Sequence, residues 1–251
     1  MTFHTKTTIL DKVARINFFD IKKNSLSSNH LKQLADTILS FNKNPNITII
    51  ILESEGNAVF CAGASFDELL TIENEEQGKH FFSGFAEVIL AMRASNKIII
   101  GNIQGKAVGG GVGLIAACDY AIATTNASVK LSELAIGIGP FVIEPAVSKK
   151  IGKTAMAELT LNPTEWKDAQ WALNKGLYAK IIENEEEAEN YLLDYASKLS
   201  QYNPEALLEM KQILWENTQN WDHLLFERAA ISGKLVLSDF TKSTLKQFKK
   251  L

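Results

Sequence analysis

Two strongly apolar, isoleucine-rich runs constrain this chain more than anything else in it. They are Ile47-Thr48-Ile49-Ile50-Ile51-Leu52 and the stretch from Ile98 to Ile103. A strand with one wet face alternates apolar and polar residues. A run apolar on both faces belongs at the centre of a sheet covered on either side. Each run is followed by a glycine-bearing stretch, Phe60-Cys61-Ala62-Gly63-Ala64-Ser65 in one case and Gly109-Gly110-Gly111 in the other. That layout presents bare backbone N–H groups beyond two strand ends. Two such donors aimed at one point can stabilise an oxygen that becomes negative during a reaction. A carboxylate set in apolar sequence, Glu133, can then move the proton.

The remaining pattern predicts an α/β chain. Two short strands join at Asp11-Lys12, and Ser27-Ser28-Asn29 opens a helix carrying Leu31, Leu34, Ala35, Ile38 and Leu39. Phe81, Phe82, Phe85, Val88, Ile89 and Met92 mark a second helix, Leu114, Ile115 and Cys118 a third, and Tyr120 to Ala123 returns as strand. Strand, strand, helix repeats with a crossover each time, which gives layered sheets with helices outside. From Glu144 onward the spacing reads as helices: Ala146–Ile151, Thr154–Leu161, Glu185–Leu199, Pro204–Trp215 and Trp221–Leu237. No Pro/Gly/Ser-rich linker divides the 251 residues. The expectation is a core over 1–195, continuous with a C-terminal helical region over 196–251.

Charge and cysteine use narrow the function classes. The net charge of −3, with Lys and Glu scattered, argues against a nucleic-acid partner. Lys242, Lys246, Lys249 and Lys250 cluster at the end, as in a solvated helix terminus. Two cysteines and the lack of a long apolar run point to a soluble cytoplasmic protein with no membrane partner. The stretch around Lys106 has neither P-loop nor dinucleotide-fingerprint spacing. The histidines are too scattered for a Cys–His pair or a zinc site, and Cys61 reads as a buried apolar residue. Taken singly, the glycines also suit close helix–strand packing, and Glu133 also suits an ion pair or an exposed strand. If Glu133 is buried, its pKa rises toward neutrality.

Taken together and in order, the elements resemble the crotonase (enoyl-CoA hydratase/isomerase) superfamily. The resemblance runs from Asn24-Ser25-Leu26 through Phe60 to Ala64, Gly105 to Gly111, Cys118-Asp119, Ser132-Glu133 and Gly139-Pro140 to Gly176-Leu177. It implies a spiral of ββα units, a C-terminal helical region that builds trimers or dimers of trimers, and an acyl-coenzyme A thioester substrate with no separate cofactor or metal. It implies that the N–H groups of Ala64 and Gly110 form an oxyanion hole and that Glu133 is the acid/base. Ser25, Leu26, Ala62, Ser65, Phe66, Val108, Gly109, Ser132 and Phe141 fall in the implied substrate-binding set.

One departure matters. Typical hydratases of the family carry a second Glu where this chain has Gly113. Single-Glu members are often double-bond isomerases. Yet Gly110 to Leu114, Ser132-Glu133 and Pro140-Phe141-Val142-Ile143-Glu144-Pro145 also resemble bacterial methylglutaconyl-CoA hydratases of leucine breakdown. Glu144 is therefore expected either to take the missing catalytic role or simply to favour a helix start. An inactive acyl-CoA-binding trimer is a further alternative. Phe240 and Phe248, on one side with Thr244, are expected either to pack on a neighbouring subunit, with Lys249 or Lys250 near a CoA phosphate, or to form a solvated amphipathic end.

Overall fold

Both isoleucine runs are strands, and they lie side by side. The computed structural model describes residues 3–248; Lys249, Lys250 and the Phe248 side chain lie outside the described residues. One sheet has six strands in the order β1 (Phe3–Leu10), β2 (Val13–Asp20), β3 (Ile49–Ser54), β5 (Ile98–Ile103), β7 (Tyr120–Thr124) and β10 (Lys180–Ile182). β1 and β2 form an antiparallel hairpin through Asp11-Lys12, and every later pairing in this sheet is parallel. Ile49, Ile51, Ile98, Ile100 and Ile122 bury one face against α7 (Glu185–Leu199), through Ala188, Leu192 and Ala196. Ile50, Leu52 and Ile99 point the other way into the main core. Burial on both faces is why these runs show no alternation.

A second, smaller sheet holds β4 (Val59–Cys61), β6 (Lys106–Val108), β8 (Ser128–Lys130) and β9 (Lys167–Asp168), parallel except for the last pair. Around the two sheets lie α1 (Ser28–Ser40), α2 (Phe66–Leu69), α3 (Glu75–Ala94), α4 (Gly110–Ala117), α5 (Glu144–Leu161) and α6 (Ala169–Asn174). The Ser27 hydroxyl accepts from the His30 N–H to start α1, and the His30 ring accepts from the Ser27 N–H in return. The helices expected on either side of Gly152 are one element, α5, broken at that residue by φ 77°.

The last third is not purely helical. β9 and β10 lie within it, two and three residues long. Segments that short carry no readable period. After α7 come α8 (Pro204–Leu214), α9 (Trp221–Leu235) and α10 (Asp239–Phe248). α9 lies against α3 where glycine meets glycine: a Cβ on Gly78 would stand 2.7 Å from the Gly233 Cα. None of the described helices is long and apolar enough to cross a membrane.

Asp119 joins the C-terminal helices to the large sheet. Its Oδ2 accepts from the Ile99 N–H at 2.7 Å and from the Lys211 ammonium at 2.9 Å, while Oδ1 accepts from the Trp215 indole at 2.7 Å. Both charged side chains are 3% exposed, so the pair is desolvated but its geometry is satisfied. α7 itself runs through the expected boundary at 195. Asp119→Ala should strand the Lys211 charge in the interior and lower unfolding free energy by about 3–5 kcal/mol, read as a drop in denaturation midpoint.

Candidate active site

Three parallel neighbours of the small sheet, β4, β6 and β8, end at the same edge. Ala62-Gly63-Ala64, Gly109-Gly110 and Leu131-Ser132-Glu133 therefore leave the sheet side by side. Loops beyond the carboxyl ends of parallel strands are the common place for a ligand in α/β sheets. Here they border a cavity of about 440 Å³, roofed by Phe81, Phe82 and Phe85 of α3 and closed by Phe141, Val142 and Ile143.

Each loop is fixed by backbone bonds that leave particular N–H groups over. The Leu26 N–H donates to the Gly63 carbonyl at 2.8 Å, and the Ser65 N–H donates to the Leu26 carbonyl at 2.9 Å. The intervening Ala64 N–H has no acceptor among the described residues. The Gly109 N–H donates to the Lys130 carbonyl at 2.9 Å, tying the second loop to the third. Gly110 opens α4, and its N–H likewise has no acceptor among the described residues. The loops touch: a Cβ on Gly63, at φ 87°, would lie 2.9 Å from the Val108 carbonyl oxygen and 3.6 Å from the Gly110 nitrogen.

Glu133 begins a 3-10 turn, Glu133–Ile136, that Gly137 ends in the left-handed region at φ 84°. The Ile138 N–H donates back to the Glu133 carbonyl at 3.0 Å. The carboxyl lies against the Gly109 backbone, since a Cβ there would stand 2.7 Å from Oε1. Its Oε2 is shut off from solvent and has no hydrogen-bond partner among the described residues. Burial pushes the carboxyl up to about 7, opposed only by its own backbone N–H. A buried carboxyl oxygen without a partner is a costly feature that points to a functional role.

Of the residues expected from sequence, Ala62, Ala64, Phe66, Val108, Gly109, Gly110, Ser132, Glu133 and Phe141 line this one cavity. Ser25, Leu26 and Ser65 do not. Leu26 and Ser65 brace the Ala64 loop instead, and the Ser65 hydroxyl caps α2. Glu144 is also outside the lining. Its carboxylate accepts from the Ser148 hydroxyl at 2.6 Å and pairs with Lys153. Burial pushes Glu144 up, but these partners outweigh it and leave the group below the ordinary carboxylate range. Glu144 thus has its charge satisfied by Ser148 and Lys153, outside the described cavity lining.

The space beside Gly113 is filled by Ile143, whose side chain a Cβ at Gly113 would strike. Glu133 is the one acidic side chain in the described lining. Cys61 is fully buried and its thiol is pushed up to about 12 by desolvation, so it stays protonated. Sequence reasoning took the α3 phenylalanines for core alone; their crowding at 81, 82 and 85 was the available signal. Lys130, Pro163, Thr164 and Ser232 also reach the lining, and nothing in their local sequence marked them. Phe240 is 62% exposed yet lies beside Gly137, and the Thr241 hydroxyl donates to the Gly137 carbonyl at 3.2 Å, so α10 rests on the turn that carries Glu133.

Known proteins resemble this chain in sequence and in fold. The family model described as enoyl-CoA hydratase/isomerase matches residues 8–244. A Bacillus subtilis protein named probable enoyl-CoA hydratase is 27% identical over 206 residues, 82% of this chain and 79% of its own. The mitochondrial methylglutaconyl-CoA hydratase of Rattus norvegicus is 32% identical over 168 residues, 66% of this chain and 53% of the rat protein. The crystal structure of an enoyl-CoA hydratase from Bacillus halodurans superposes with TM-score 0.89 at 23% identity, covering 98% of this chain and all of that one. With its family model matched over nearly its whole length and the same fold in a solved relative, the chain belongs to the enoyl-CoA hydratase/isomerase family.

Proposed function

We propose that the protein hydrates an enoyl-coenzyme A thioester through an enolate, with Glu133 as its single acid/base. The observation that carries this reading is the unpartnered Oε2 of Glu133 sharing one cavity with two unclaimed backbone donors. The Ala64 and Gly110 N–H groups receive the thioester oxygen. Ionised Glu133 takes a proton from water as the water oxygen bonds to Cβ. The π electrons move through Cα to the thioester oxygen, where the two donors hold the negative charge. Protonated Glu133 then gives its proton to Cα, restoring the carbonyl. One molecule of water has been added and the carboxylate is regenerated. A group with a pKa of about 7 serves both steps, because both of its forms are populated near neutrality.

The apolar Ile143 beside Gly113 favours a second reading, double-bond isomerisation. There Glu133 removes a proton from one carbon and returns it to another, and no water is consumed. A branched or dicarboxylic acyl group of the methylglutaconyl kind fits the rat relative's name. A trimer or dimer of trimers, a cytoplasmic setting and a reaction needing no group beyond the substrate belong to the same proposal.

Glu133→Gln should lower kcat about 10²–10⁴-fold while leaving acyl-CoA affinity within a few-fold; undiminished turnover rejects the assignment. Reaction in H₂¹⁸O separates the two chemistries: label at the β-carbon for hydration, a shifted double bond without label for isomerisation.

The raised Glu133 pKa also fixes a stability trend. Between 4.5, the ordinary value, and about 7, the folded chain binds a proton that the unfolded chain has released. Its contribution to stability is therefore full below that window and is lost as pH rises through it. Urea midpoints should show this loss across the window, and Glu133→Gln should flatten it.

A further inference from the structure

The cavity that holds Glu133 is walled chiefly by aromatic and aliphatic groups, and Lys130 is the one cationic side chain in its described lining. Lys130 ends β8, opposite Val108 of β6, which also lines the cavity. The antiparallel register of β8 with β9 pairs Ser128 with Asp168 and Val129 with Lys167. One further step along that register brings Trp166 beside Lys130. The Lys130 ammonium stands 4.5 Å from the Trp166 ring centroid, and the Lys106 ammonium 5.1 Å from the same ring. Neither ammonium makes an ion pair or hydrogen bond with any described residue.

That lack is local. Lys167, on the neighbouring strand, pairs with Glu158 at 2.9 Å and Glu165 at 3.2 Å, and Lys153 pairs with Glu144. Two cations sharing one aromatic ring repel each other, and the ring offsets only part of that repulsion. A half-buried lysine on an apolar wall also gives up some hydration. Both penalties are relieved by an anion at the same spot, and the site is open to the substrate cavity.

We propose that Lys130, backed by Lys106 and Trp166, recognises an oxyanion carried by the acyl thioester itself; the inference rests on the acyl-CoA reading given under Proposed function. Two parts of such a substrate supply the same chemistry: a carboxylate on the acyl chain, or a phosphate of the coenzyme. Lys130 acts on binding and selects the substrate, while Glu133 carries the proton.

Calorimetry with saturated, unreactive thioesters tests this on the full chain without depending on turnover. Glutaryl-CoA carries both anions, butyryl-CoA only the phosphates, and butyryl-pantetheine neither. Lys130→Gln should weaken at least one CoA thioester about tenfold more than butyryl-pantetheine, with Lys130→Arg largely restoring it. A loss confined to glutaryl-CoA assigns the carboxylate, and an equal loss for both CoA thioesters assigns a phosphate. Equal changes across all three ligands overturn the proposal. Wild-type protein that binds them with this selectivity but turns over no enoyl thioester leaves the inference standing and removes the proposed activity instead.

Discussion

Three short parallel strands that stop at one edge make everything else at this site possible. β4, β6 and β8 are neighbours, so the peptides following each of them are neighbours too. Approach this close leaves no room for side chains on the inner residues. A Cβ on Gly110 would collide with the Phe85 ring, and one on Gly109 would meet the Glu133 carboxyl. The Gly109 φ of 53° is itself unfavourable for a residue with a side chain. Backbone donors held this way lose no rotamer freedom when they meet a developing charge, and they need no reorganisation at that moment. Their aim depends on the bonds behind them. The Leu26 bridge holds the first loop and the Lys130 carbonyl holds the second. The Asn24 amide donates to the Glu55 and Val59 carbonyls at 2.8 and 2.9 Å, securing the segment from which β4 begins.

Glu133 shows the opposite case, a carboxyl with one oxygen left without a partner among the described residues. An unsatisfied buried acceptor costs roughly 1–3 kcal/mol relative to one that is bonded. The fold tolerates this because the turn around the residue is tightly determined. Gly137 reverses the chain, Ile138 closes the turn, and Thr241 of α10 bonds to the Gly137 carbonyl. Ile138, Val236 and Leu245 share a buried cluster with Leu69 and Phe81, so the chain's end packs against the elements around the cavity. The C-terminal helices thus support the acid's position within a single chain.

Much of this was legible in the sequence where local pattern reports tertiary surroundings. The isoleucine runs announce burial on both faces, and Ser27 announces a helix start. The ordered glycine stretches and Glu133 mark residues that meet in one cavity. The small sheet was not legible, because β4, β6 and β8 are each three residues long and alternate too briefly to show a period. The same brevity hid β9 and β10 in a region read as helical. The direction of Glu144 was not legible for a different reason. Its apolar neighbours Val142 and Ile143 turn into the cavity, while the next residue along turns out toward Lys153. One step of helix decides which of them faces a substrate, and sequence spacing does not reveal that phase.

Gly113 and Ile143 carry the argument one step further. In sequence, Gly113 leaves vacant the place of the second Glu that typical hydratases of the family carry. In three dimensions Ile143, from another segment, occupies the space beside Gly113. The cavity is consequently asymmetric: hydrocarbon beside Gly113, one unpaired acid at Gly109, and a lone cation at the end of β8. A site with two acids can divide proton removal and proton delivery between them. With one, as in the reading given under Proposed function, both tasks would fall to a single carboxyl, and a pKa close to the working pH would let it perform each in turn. Burial raises the Glu133 carboxyl toward about 7, and Ile143, which fills the space beside Gly113, lines the same cavity.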